Sequence, residues 1–417
     1  MNVSQHPDAA LDALEDFDVS RPELFHEDKW QDWFARLRRE DPVHYCKDSV
    51  NGPYWSVTRH ADIKAVEGNF ADYSSAQGIV IAEDEVNADM PVQGPTSFIS
   101  MDPPDHSAQR KTVSPAVAPG NVANMEPLIR QRVIDILDNL PVGEVFDWVD
   151  NVSVELTAQM LATLFGFPFE DRRKLVYWSD ITTNVPQVTG VEVDLSERMT
   201  GLQDCAATFL ALWQEKATQE PTADLISMMA HSPDTKDMIN DPMMFLGNIL
   251  LLIVGGNDTT RNSISGGVMA LNQYPDEYQK LRDNPDLIPN MVSEMIRWQT
   301  PVIHMRRTAT RDVELQGKLI REGDKVILWY LSGNRDEAVF DDADRLIIDR
   351  PNANQHVSFG FGVHRCMGKR LAEMQLRVLW EEIHKRFHKI ELAGDVTRVS
   401  NNFIRGIREV PVVLHPR

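Results

Sequence analysis

Much of the chain carries apolar residues at the spacing of one face of a helix. Intervals of three and four residues between apolar positions predict four helices: Met125 to Leu140, Val154 to Leu164, Leu202 to Trp213 and Leu371 to Phe387. A longer helical pattern follows Asp241-Pro242, a favourable N-cap and first-turn pair. It continues for about 30 residues, or roughly 45 Å at about 1.5 Å per residue. We therefore expect helix to dominate the fold.

Extended segments are short by comparison. Residues 53–63 (PYWSVTRHADI) are rich in aromatic and β-branched residues and predict a strand, and residues 313–328 contain strand-like runs broken at Gly317 and Gly323. Residues 69–100 and 334–365 follow neither period and predict ordered coil, which at this length usually lines a functional site. The predicted fold class is mainly α, a large helical domain with small β-sheets.

The 417 residues contain no internal repeat, low-complexity tract or Gly/Ser linker. We therefore expect a single domain over residues 1–417. Within it, we expect an N-terminal part with β-structure at roughly residues 1–75 and a helical part that holds the functional site at roughly residues 76–417.

Composition and charge narrow the classes of function. The chain is 42% hydrophobic and carries 42 Lys and Arg against 63 Asp and Glu, for a net charge of −21. This describes a folded protein that does not bind nucleic acid. Its three cysteines, Cys46, Cys205 and Cys366, lie too far apart to suggest a disulfide framework. The acidic N-terminus resembles no signal peptide, and the apolar run at residues 243–254 is short for a bilayer, so we expect a cytoplasmic protein without a membrane anchor.

One cysteine lies in a setting that favours metal chemistry. Residues 359–368 read FGFGVHRCMG and lead directly into a helical pattern, so that Cys366 falls at the start of a helix. The glycines permit a tight backbone path close to a flat ligand. The amide N–H groups and the positive dipole end of the helix favour a thiolate, which is the form that binds iron.

Three other interpretations of this loop are weaker. A small buried core cysteine would not need these surroundings. A dinucleotide-binding fingerprint beginning at Gly360 fails because Arg365 stands in the place of the third glycine and no βαβ pattern surrounds it. A zinc site would need a C-x-x-C neighbour or other ligands, and Cys366 has no such cysteine beside it.

A second motif interrupts the long apolar helix. Its apolar residues give way to Gly255, Gly256, Asn257, Asp258 and Thr259. Polar groups in a buried helix need a structural or functional reason. The alternative is that the helix ends at the two glycines and that Asn257 or Asp258 caps a second helix. The residues alone leave both interpretations open.

These two motifs together resemble those of the cytochrome P450 family. FGFGVHRCMG fills every fixed position of that family's haem-binding signature, F-x-x-G-x-x-x-C-x-G, and GGNDT resembles its oxygen-binding motif, G-G-x-D-T. The resemblance implies a haem-thiolate monooxygenase that contains haem b and uses O2 as co-substrate. Thiolate donation to iron favours cleavage of the O–O bond. The motifs of this sequence also follow one another in the same order as in the family, and together they span nearly the whole chain.

The resemblance also implies roles for individual residues. Cys366 would ligate the iron, Phe359 would shield its sulfur, and Gly368 would complete the cofactor-binding loop. Asp258 would feed protons to the site, and Thr259 would hydrogen-bond the bound dioxygen. Four residues would contact the haem propionates, since Arg and His suit carboxylates: His106, Arg110, Arg307 and His364.

A structural ion-pair cluster is also implied. Glu294 and Arg297 are three residues apart and share a helix face, a pairing that contributes little when it is exposed. In the family, E-x-x-R is a buried pair joined by an Arg from the coil before the cysteine, here Arg350. We expect these three residues to serve folding and haem retention.

Electron supply is inferred from the soluble bacterial members that the chain resembles. These take electrons from NAD(P)H through a ferredoxin reductase and a ferredoxin. Five cations around Cys366 are either ordinary solvated surface or a docking patch for an acidic ferredoxin: Lys111, Arg365, Lys369, Arg370 and Arg377.

The expected substrate is a hydrophobic small molecule held mainly by burial. Seven positions are predicted to face it: Leu250, Leu251, Val254, Gly255, Ile303, Met305 and Phe403. The phrases around the two main motifs resemble the bacterial alkane-hydroxylase branch, which implies terminal (omega) hydroxylation of medium-chain alkanes or fatty acids. The alternatives are a terpene or steroid substrate, a peroxide-driven enzyme, and a non-catalytic haem-thiolate sensor. Thr259 disfavours the peroxide-driven enzyme, and the pair Asp258 and Thr259 disfavours the sensor.

Overall fold

The computed structural model describes residues 13–82, 96–183 and 194–417. Helices make up most of this structure, as the periodicity predicts. They are α1 Pro22–His26, α2 Gln31–Glu40, α3 His60–Gly68, α4 Asp105–Val113, α5 Pro119–Asp138, α6 Glu155–Phe165, α7 Arg173–Thr183, α8 Leu195–Ala217, α9 Leu225–His231, α10 Pro242–Gln273, α11 Pro275–Asp283, α12 Ile288–Gln299, α13 Tyr330–Gly333 and α14 Lys369–Arg386.

The strands are short, and they form four small sheets in the described part of the chain. Their bounds are β1 Val43–Cys46, β2 Tyr54–Val57, β3 Tyr73–Ser74, β4 Phe146–Asp147, β5 Met305–Ala309, β6 Val313–Leu315, β7 Lys318–Ile320, β8 Lys325–Leu328, β9 Phe387–Leu392, β10 Thr397–Arg398, β11 Ile407–Glu409 and β12 Pro411–Pro416. The largest sheet has the order β1-β2-β8-β5-β3, and the others are β4-β12-β9, β6-β7 and β10-β11.

The largest sheet joins distant parts of the sequence. In it, β2 and β8 pair in parallel, with Trp55 opposite Val326, whereas β5 and β8 pair antiparallel. The residues before position 75 therefore share a sheet with β5 and β8. This sheet positions β5, which carries Met305 and Arg307, against the N-terminal segments.

The predicted strand at residues 53–63 is only half correct. It ends at Val57, and α3 begins at His60. The first amide of this helix, that of His60, donates to Asp336 Oδ2 at 2.9 Å. Because this cap comes from a residue far away in the sequence, local composition cannot reveal where the helix begins.

The helix α10 is continuous and crosses the core. Asp241 caps it by accepting hydrogen bonds from the amides of Met243 and Met244, each at 3.1 Å. It runs without interruption through Gly255 and Gly256, so the alternative of two separate helices is wrong. By length and composition α10 could span a membrane, but half of the residues in its most apolar 18-residue stretch are buried inside the protein. It packs against α6, α7, α12 and α14 as a core helix.

Glycines allow other elements to approach α10 closely. A Cβ added at Gly247 would lie 2.0 Å from the carbonyl oxygen of Thr96, and one added at Gly267 would lie 3.4 Å from Trp380 Cζ2 on α14. The tighter neighbour of Gly267 is Met295 Sδ on α12, at 2.9 Å from the added Cβ. The Thr96 backbone and the Met295 side chain would have to move to accept a side chain at these two positions.

The two predicted coil stretches hold little regular structure. The first contains β3 and a 3₁₀ turn at Phe98–Ser100, and its residues 83–95 lie outside the described residues. The second contains 3₁₀ turns at Ala353–Gln355 and Gly362–His364 and leads into Cys366. Both stretches reach the site described next.

Candidate active site

The cysteine loop is a tight turn that delivers Cys366 to the start of α14. Gly360 and Gly362 both have φ of 66°, a conformation that favours glycine. The amide of Cys366 donates to the carbonyl of Phe359 at 2.8 Å and closes the loop. The α14 helix begins at Lys369, directly after Gly368.

The Cys366 side chain differs from the other two cysteines. Cys46 and Cys205 are buried in the core, where burial raises the pKa of the Cys46 thiol to about 12. Cys366 is exposed even though it lies deep in the molecule, so open space adjoins its sulfur. Its deep position raises the pKa of the thiol, while amide hydrogen bonds from Gly368, the charge of Arg110 and the amide of Lys369 act in the opposite direction. On balance the pKa of the thiol is raised, and the two amides and the Arg110 charge are the groups in place to stabilise a thiolate, the form that a metal requires.

Two histidines beside the loop have ring nitrogens without a hydrogen-bond partner within the described structure. His106 on α4 is 2% exposed, and neither of its ring nitrogens is paired. Its ring centroid lies 4.2 Å from that of His364, whose Nδ1 is also unpaired and whose Nε2 lies 3.1 Å from Ser75 Oγ. Burial lowers the pKa of both, that of His364 to about 3. Buried, unpaired nitrogens on neutral imidazoles indicate an acceptor that another molecule supplies.

Two arginines lie near the same loop. Arg110 donates from Nη2 to the carbonyl of Arg365, and Arg307 donates from Nη2 to Glu67 Oε1 at 3.0 Å. Together with the two histidines, they supply donors and positive charge suited to carboxylates, while Cys366 supplies a sulfur ligand. This set fits haem b, whose iron takes a thiolate and whose propionates take such donors.

The acid predicted to supply protons, Asp258, lies in a buried network on α10. Its carboxylate is 1% exposed and accepts hydrogen bonds from Arg261 Nη2 at 2.7 Å and Asn257 Nδ2 at 3.2 Å on Oδ1, and from Thr183 Oγ1 at 3.2 Å on Oδ2. Burial raises the pKa of Asp258, and the Arg261 charge opposes this. Arg261 also pairs with Asp180 at 2.9 Å, whose side chain is 48% exposed. The network therefore leads from the buried acid to the surface.

The neighbouring stretch of α10 opens onto free space. Gly255 is exposed in the middle of the helix, and a Cβ added there would meet no atom within 4 Å. Thr259, one turn later, is partly exposed and donates from Oγ1 to the carbonyl of Gly255 at 2.9 Å. Leu251 and Val254 are also partly exposed. These four residues form a strip with apolar side chains at one end and a hydroxyl at the other.

Not every predicted substrate contact faces open space. Ile303 has no exposed surface and packs in the core with Trp329, and Leu250 is 5% exposed. Leu250 lies on the buried side of α10, and Ile303 lies in the segment before β5 with no exposed surface, so we remove both from the predicted pocket. Met305 and Phe403 are partly exposed and stay in the prediction.

His304 links two segments near these positions. Its Nε2 accepts from the amide of Ile81 at 3.1 Å, and its Nδ1 donates to the carbonyl of Asn402 at 2.8 Å. Burial lowers the pKa of His304 to about 4, in agreement with a neutral ring that donates on one side and accepts on the other. This side chain therefore joins β5 to the chain around Ile81 and to the turn that carries Phe403.

The three structural ion-pair residues meet in the core. Arg297 donates to Glu294 through Nε at 2.7 Å and through Nη2 at 2.8 Å, and Arg350 Nε donates to Glu294 Oε1 at 3.0 Å. Arg297 also binds the carbonyls of Asn334 and Ala343, both at 2.6 Å. The cluster thus ties α12 to the coil that leads to Cys366.

The proposed docking cations divide into two groups. Lys111, Arg365 and Arg370 are exposed and form no ion pair within the described ranges. Lys369 lies 3.6 Å from Glu373. Arg377 pairs with Glu126 at 2.7 Å and Glu381 at 2.8 Å, so its charge is already balanced and we remove it from the patch.

Several residues of the site were missed by sequence reasoning. Arg261 had a local signal, since it lies three residues after Asp258 on the same helix face. Asp180, Thr183, Ser75 and Glu67 had none, because their partners lie far away in sequence.

Comparison with known proteins identifies the class. The cytochrome P450 family model matches residues 202–403. Linalool 8-monooxygenase of Pseudomonas putida is 38% identical over 415 residues, which cover 96% of this chain and 99% of the relative. The chain therefore belongs to the cytochrome P450 family and is a monooxygenase with the P450 fold.

Two further matches narrow its place among the bacterial members. The solved structure of CYP153D17 from Sphingomonas sp. PAMC 26605 is 50% identical in sequence, with a TM-score of 0.90, and the match covers 96% of this chain and 100% of that one. The methyl-branched lipid omega-hydroxylase of Mycobacterium tuberculosis strain H37Rv is 32% identical over 91% of this chain and 90% of its own length. The resemblance found in the sequence motifs is thus confirmed at the level of family and bacterial type.

Proposed function

We propose that this P450 hydroxylates the terminal carbon of a medium-chain hydrophobic substrate, an alkane or a fatty acid. The observation that carries the proposal is the strip of Leu251, Val254, Gly255 and Thr259 on α10, which has apolar surface and ends beside the buried acid Asp258. An apolar chain gains free energy by covering such surface.

Haem b, held by the Cys366 thiolate and by donors from His106, Arg110, Arg307 and His364, supplies the activation of O2 when it is bound. The chain's own residues bind and orient the substrate, and they deliver protons. The neutral imidazoles of His106 and His364 would donate to the haem carboxylates without adding charge. The apolar strip excludes water, which strengthens each polar interaction at the site.

Asp258 holds and delivers the protons that the reaction consumes. Burial raises its pKa and so favours the protonated carboxyl more than in water. Arg261 pairs with both Asp258 and the half-exposed Asp180, and so ties the buried acid to a side chain that solvent reaches. Thr259 is the residue after Asp258, and its hydroxyl is placed to donate a hydrogen bond into the open space beside Gly255.

Support for a terminal position comes from the relatives. The lipid relative is named for omega hydroxylation, and the Pseudomonas relative for reaction at carbon 8 of linalool. A terminal methyl must be restrained over the reactive centre because internal C–H bonds are weaker, and a narrow pocket provides that restraint. The second candidate is a terpene substrate, which the linalool-specific relative favours.

Electrons are proposed to come from NAD(P)H through a ferredoxin reductase and a ferredoxin. Lys111, Arg365 and Arg370 are exposed cations on α4, in the cysteine loop and at the start of α14. On a chain with net charge −21, such a patch attracts an acidic partner to this face. We further propose that the protein is cytoplasmic.

The deciding experiment titrates the haem-loaded protein with a medium-chain alkane, the matching fatty acid, linalool and a steroid, and follows the spin state. Products are then identified by mass spectrometry. We expect spin shifts with the alkane or fatty acid and a primary alcohol as product. Internal alcohols alone would overturn the terminal assignment, and turnover of linalool alone would establish the terpene alternative.

Two variants locate the pocket in the same experiment. Val254→Phe fills the strip, and we expect it to weaken the binding of the longest chain about tenfold or more, since burial of a few methylenes is lost. Met243→Phe makes a similar change on the exposed first turn of the same helix and should bind as wild type. Equal binding by both variants would remove Val254 from the pocket.

A further inference from the structure

Glu67, the penultimate residue of α3, lies buried against the cysteine loop. It is 3% exposed, and its carboxylate accepts three hydrogen bonds from three separate elements. Oε2 accepts from the amide of Phe361 at 2.5 Å. Oε1 accepts from Arg307 Nη2 at 3.0 Å and from the Tyr330 hydroxyl. One side chain therefore connects the cysteine loop, β5 and α13.

The loop is shaped around this residue. A Cβ added at Gly362 would lie 2.2 Å from the carbonyl oxygen of Glu67, and one added at Gly360 would lie 3.1 Å from its Oε2. Lys64, on the same helix, places its ammonium 4.8 Å from the Phe361 ring centroid. The end of α3 thus serves as the support on which residues 360–362 are folded, a few residues before Cys366.

The charge of Glu67 also determines the charge of its surroundings. Arg307 is 4% exposed, and Glu67 is the carboxylate with which it pairs. Without that carboxylate the guanidinium would lose the ion-pair partner that the protein itself supplies, and the Phe361 amide would lose its acceptor. A buried charge pair that loses one member becomes strongly unfavourable.

We propose that Glu67 is a positioning residue of the haem site, which holds the cysteine loop and the Arg307 guanidinium in one rigid unit. The inference rests on the proposed binding of haem by Cys366 and Arg307. Glu67 acts through these two groups, and its carboxylate balances the positive charge of Arg307 beside the cofactor.

Three single variants of the haem-loaded protein test this role. Glu67→Gln keeps the size of the side chain but removes its charge. One of the two carboxylate oxygens becomes an NH2 group, which cannot accept a hydrogen bond from the donor that faces it. Tyr330→Phe removes one of the three hydrogen bonds and leaves the charge unchanged. Asp62→Asn is the matched control, because Asp62 is a buried acid on the same helix that accepts from Gln316 at 2.7 Å, away from the loop.

The measurements are the rate of haem transfer to apomyoglobin, the carbon-monoxide spectrum of the reduced protein and the reduction potential of the iron. We expect Glu67→Gln to lose haem about tenfold faster or more, since it removes hydrogen bonds to a buried charged group. Its potential should rise, because the loss of a nearby negative charge destabilises the more positive ferric state. Tyr330→Phe should lose haem faster than Asp62→Asn, with no change in potential.

Several outcomes would overturn the proposal. One is haem transfer and potential in Glu67→Gln equal to those of wild type, and another is equal haem loss in Glu67→Gln and Asp62→Asn. If Glu67→Gln does not fold, haem loss in Tyr330→Phe no faster than in Asp62→Asn overturns it. A wild-type protein without the red-shifted thiolate band would instead contradict haem ligation by Cys366, which distinguishes the two failures.

Discussion

Asp258 is a carboxylic acid with almost no contact with solvent, and it forms an ion pair with Arg261. A buried acid with a raised pKa, joined to a surface acid by one arginine, is suited to carry protons inward. The adjacent Asn257 is fully buried and fixes the geometry, since it accepts from Thr157 Oγ1 at 3.0 Å and donates to Asp258.

We predict that Asp258→Asn lowers turnover by about 100-fold, the lower range for loss of a positioned acid. Haem content and the substrate-induced spin shift should be unchanged, because the amide retains the shape of the side chain. Asp180→Asn is the graded control and should reduce turnover much less, since water reaches this position directly. Wild-type turnover in Asp258→Asn would show that protons enter by another route.

At this scale, the sequence predicts residues whose signal is local. Cys366 is recognisable because its glycines, its histidine and the following helix are all adjacent to it. Glu67 is not, because each of its three partners lies in another element and a lone Glu near a helix end is ordinary. Ile303 was misassigned for a related reason: an apolar residue looks the same whether it faces a pocket or the core.

Among the elements, α10 does most to organise the site. It brings the apolar strip, Thr259 and Asp258 to the middle of the molecule, and glycines let other segments pack against it. Gly247 allows the backbone at Thr96 to lie against the helix, and Asn248 holds that segment by accepting from the Phe98 amide at 3.1 Å. The segment before α4, and so His106, is thereby placed relative to α10.

Substitution by alanine should have opposite effects on protein stability at two glycines of this helix. Gly255→Ala should leave the free energy of unfolding unchanged or raise it by up to about 1 kcal/mol, because alanine favours helix and the added Cβ meets no atom within 4 Å. Gly247→Ala should destabilise by about 1–3 kcal/mol despite the same propensity gain, because its Cβ overlaps the Thr96 carbonyl.

Calorimetric or chemical unfolding of the two variants provides the comparison. Equal stability of Gly247→Ala and Gly255→Ala would mean that the segment at Thr96 can move away from α10 without cost. Gly255→Ala also adds a methyl group to the strip, so its substrate binding serves as an independent measure of how close the substrate lies.

Elements with a regular apolar period were predictable, and those capped or paired at long range were not. The length of α10 followed from Asp241-Pro242 and from unbroken apolar spacing. The start of α3 depends on Asp336, and the parallel pairing of β2 with β8 depends on a contact between residues such as Trp55 and Val326. No local pattern records either contact.

For the whole molecule, the central physical fact is the contrast between its overall charge and one small surface. The net charge is −21, yet Lys111, Arg365 and Arg370 are exposed around the cysteine loop without carboxylate partners among the described residues. Composition predicted the overall repulsion of anions. Glu381, four residues after Arg377 on α14, is a partner that the sequence does show, but Glu126 lies on α5 and has no local signal.

Charge reversal of this patch should slow electron delivery by an acidic ferredoxin. We predict that the triple variant Lys111→Glu, Arg365→Glu and Arg370→Glu reduces the rate of first-electron transfer at low salt by about tenfold or more, the lower range for loss of electrostatic steering. The difference from wild type should shrink as salt rises, because a Debye length of about 10 Å at 0.1 M screens the attraction. Stopped-flow reduction under carbon monoxide measures this rate.

The control triple variant Lys47→Glu, Lys236→Glu and Arg408→Glu changes three exposed cations on other elements by the same total charge and should retain the wild-type rate. Equal slowing in both variants would show that net charge, and not this patch, governs the encounter with the redox partner.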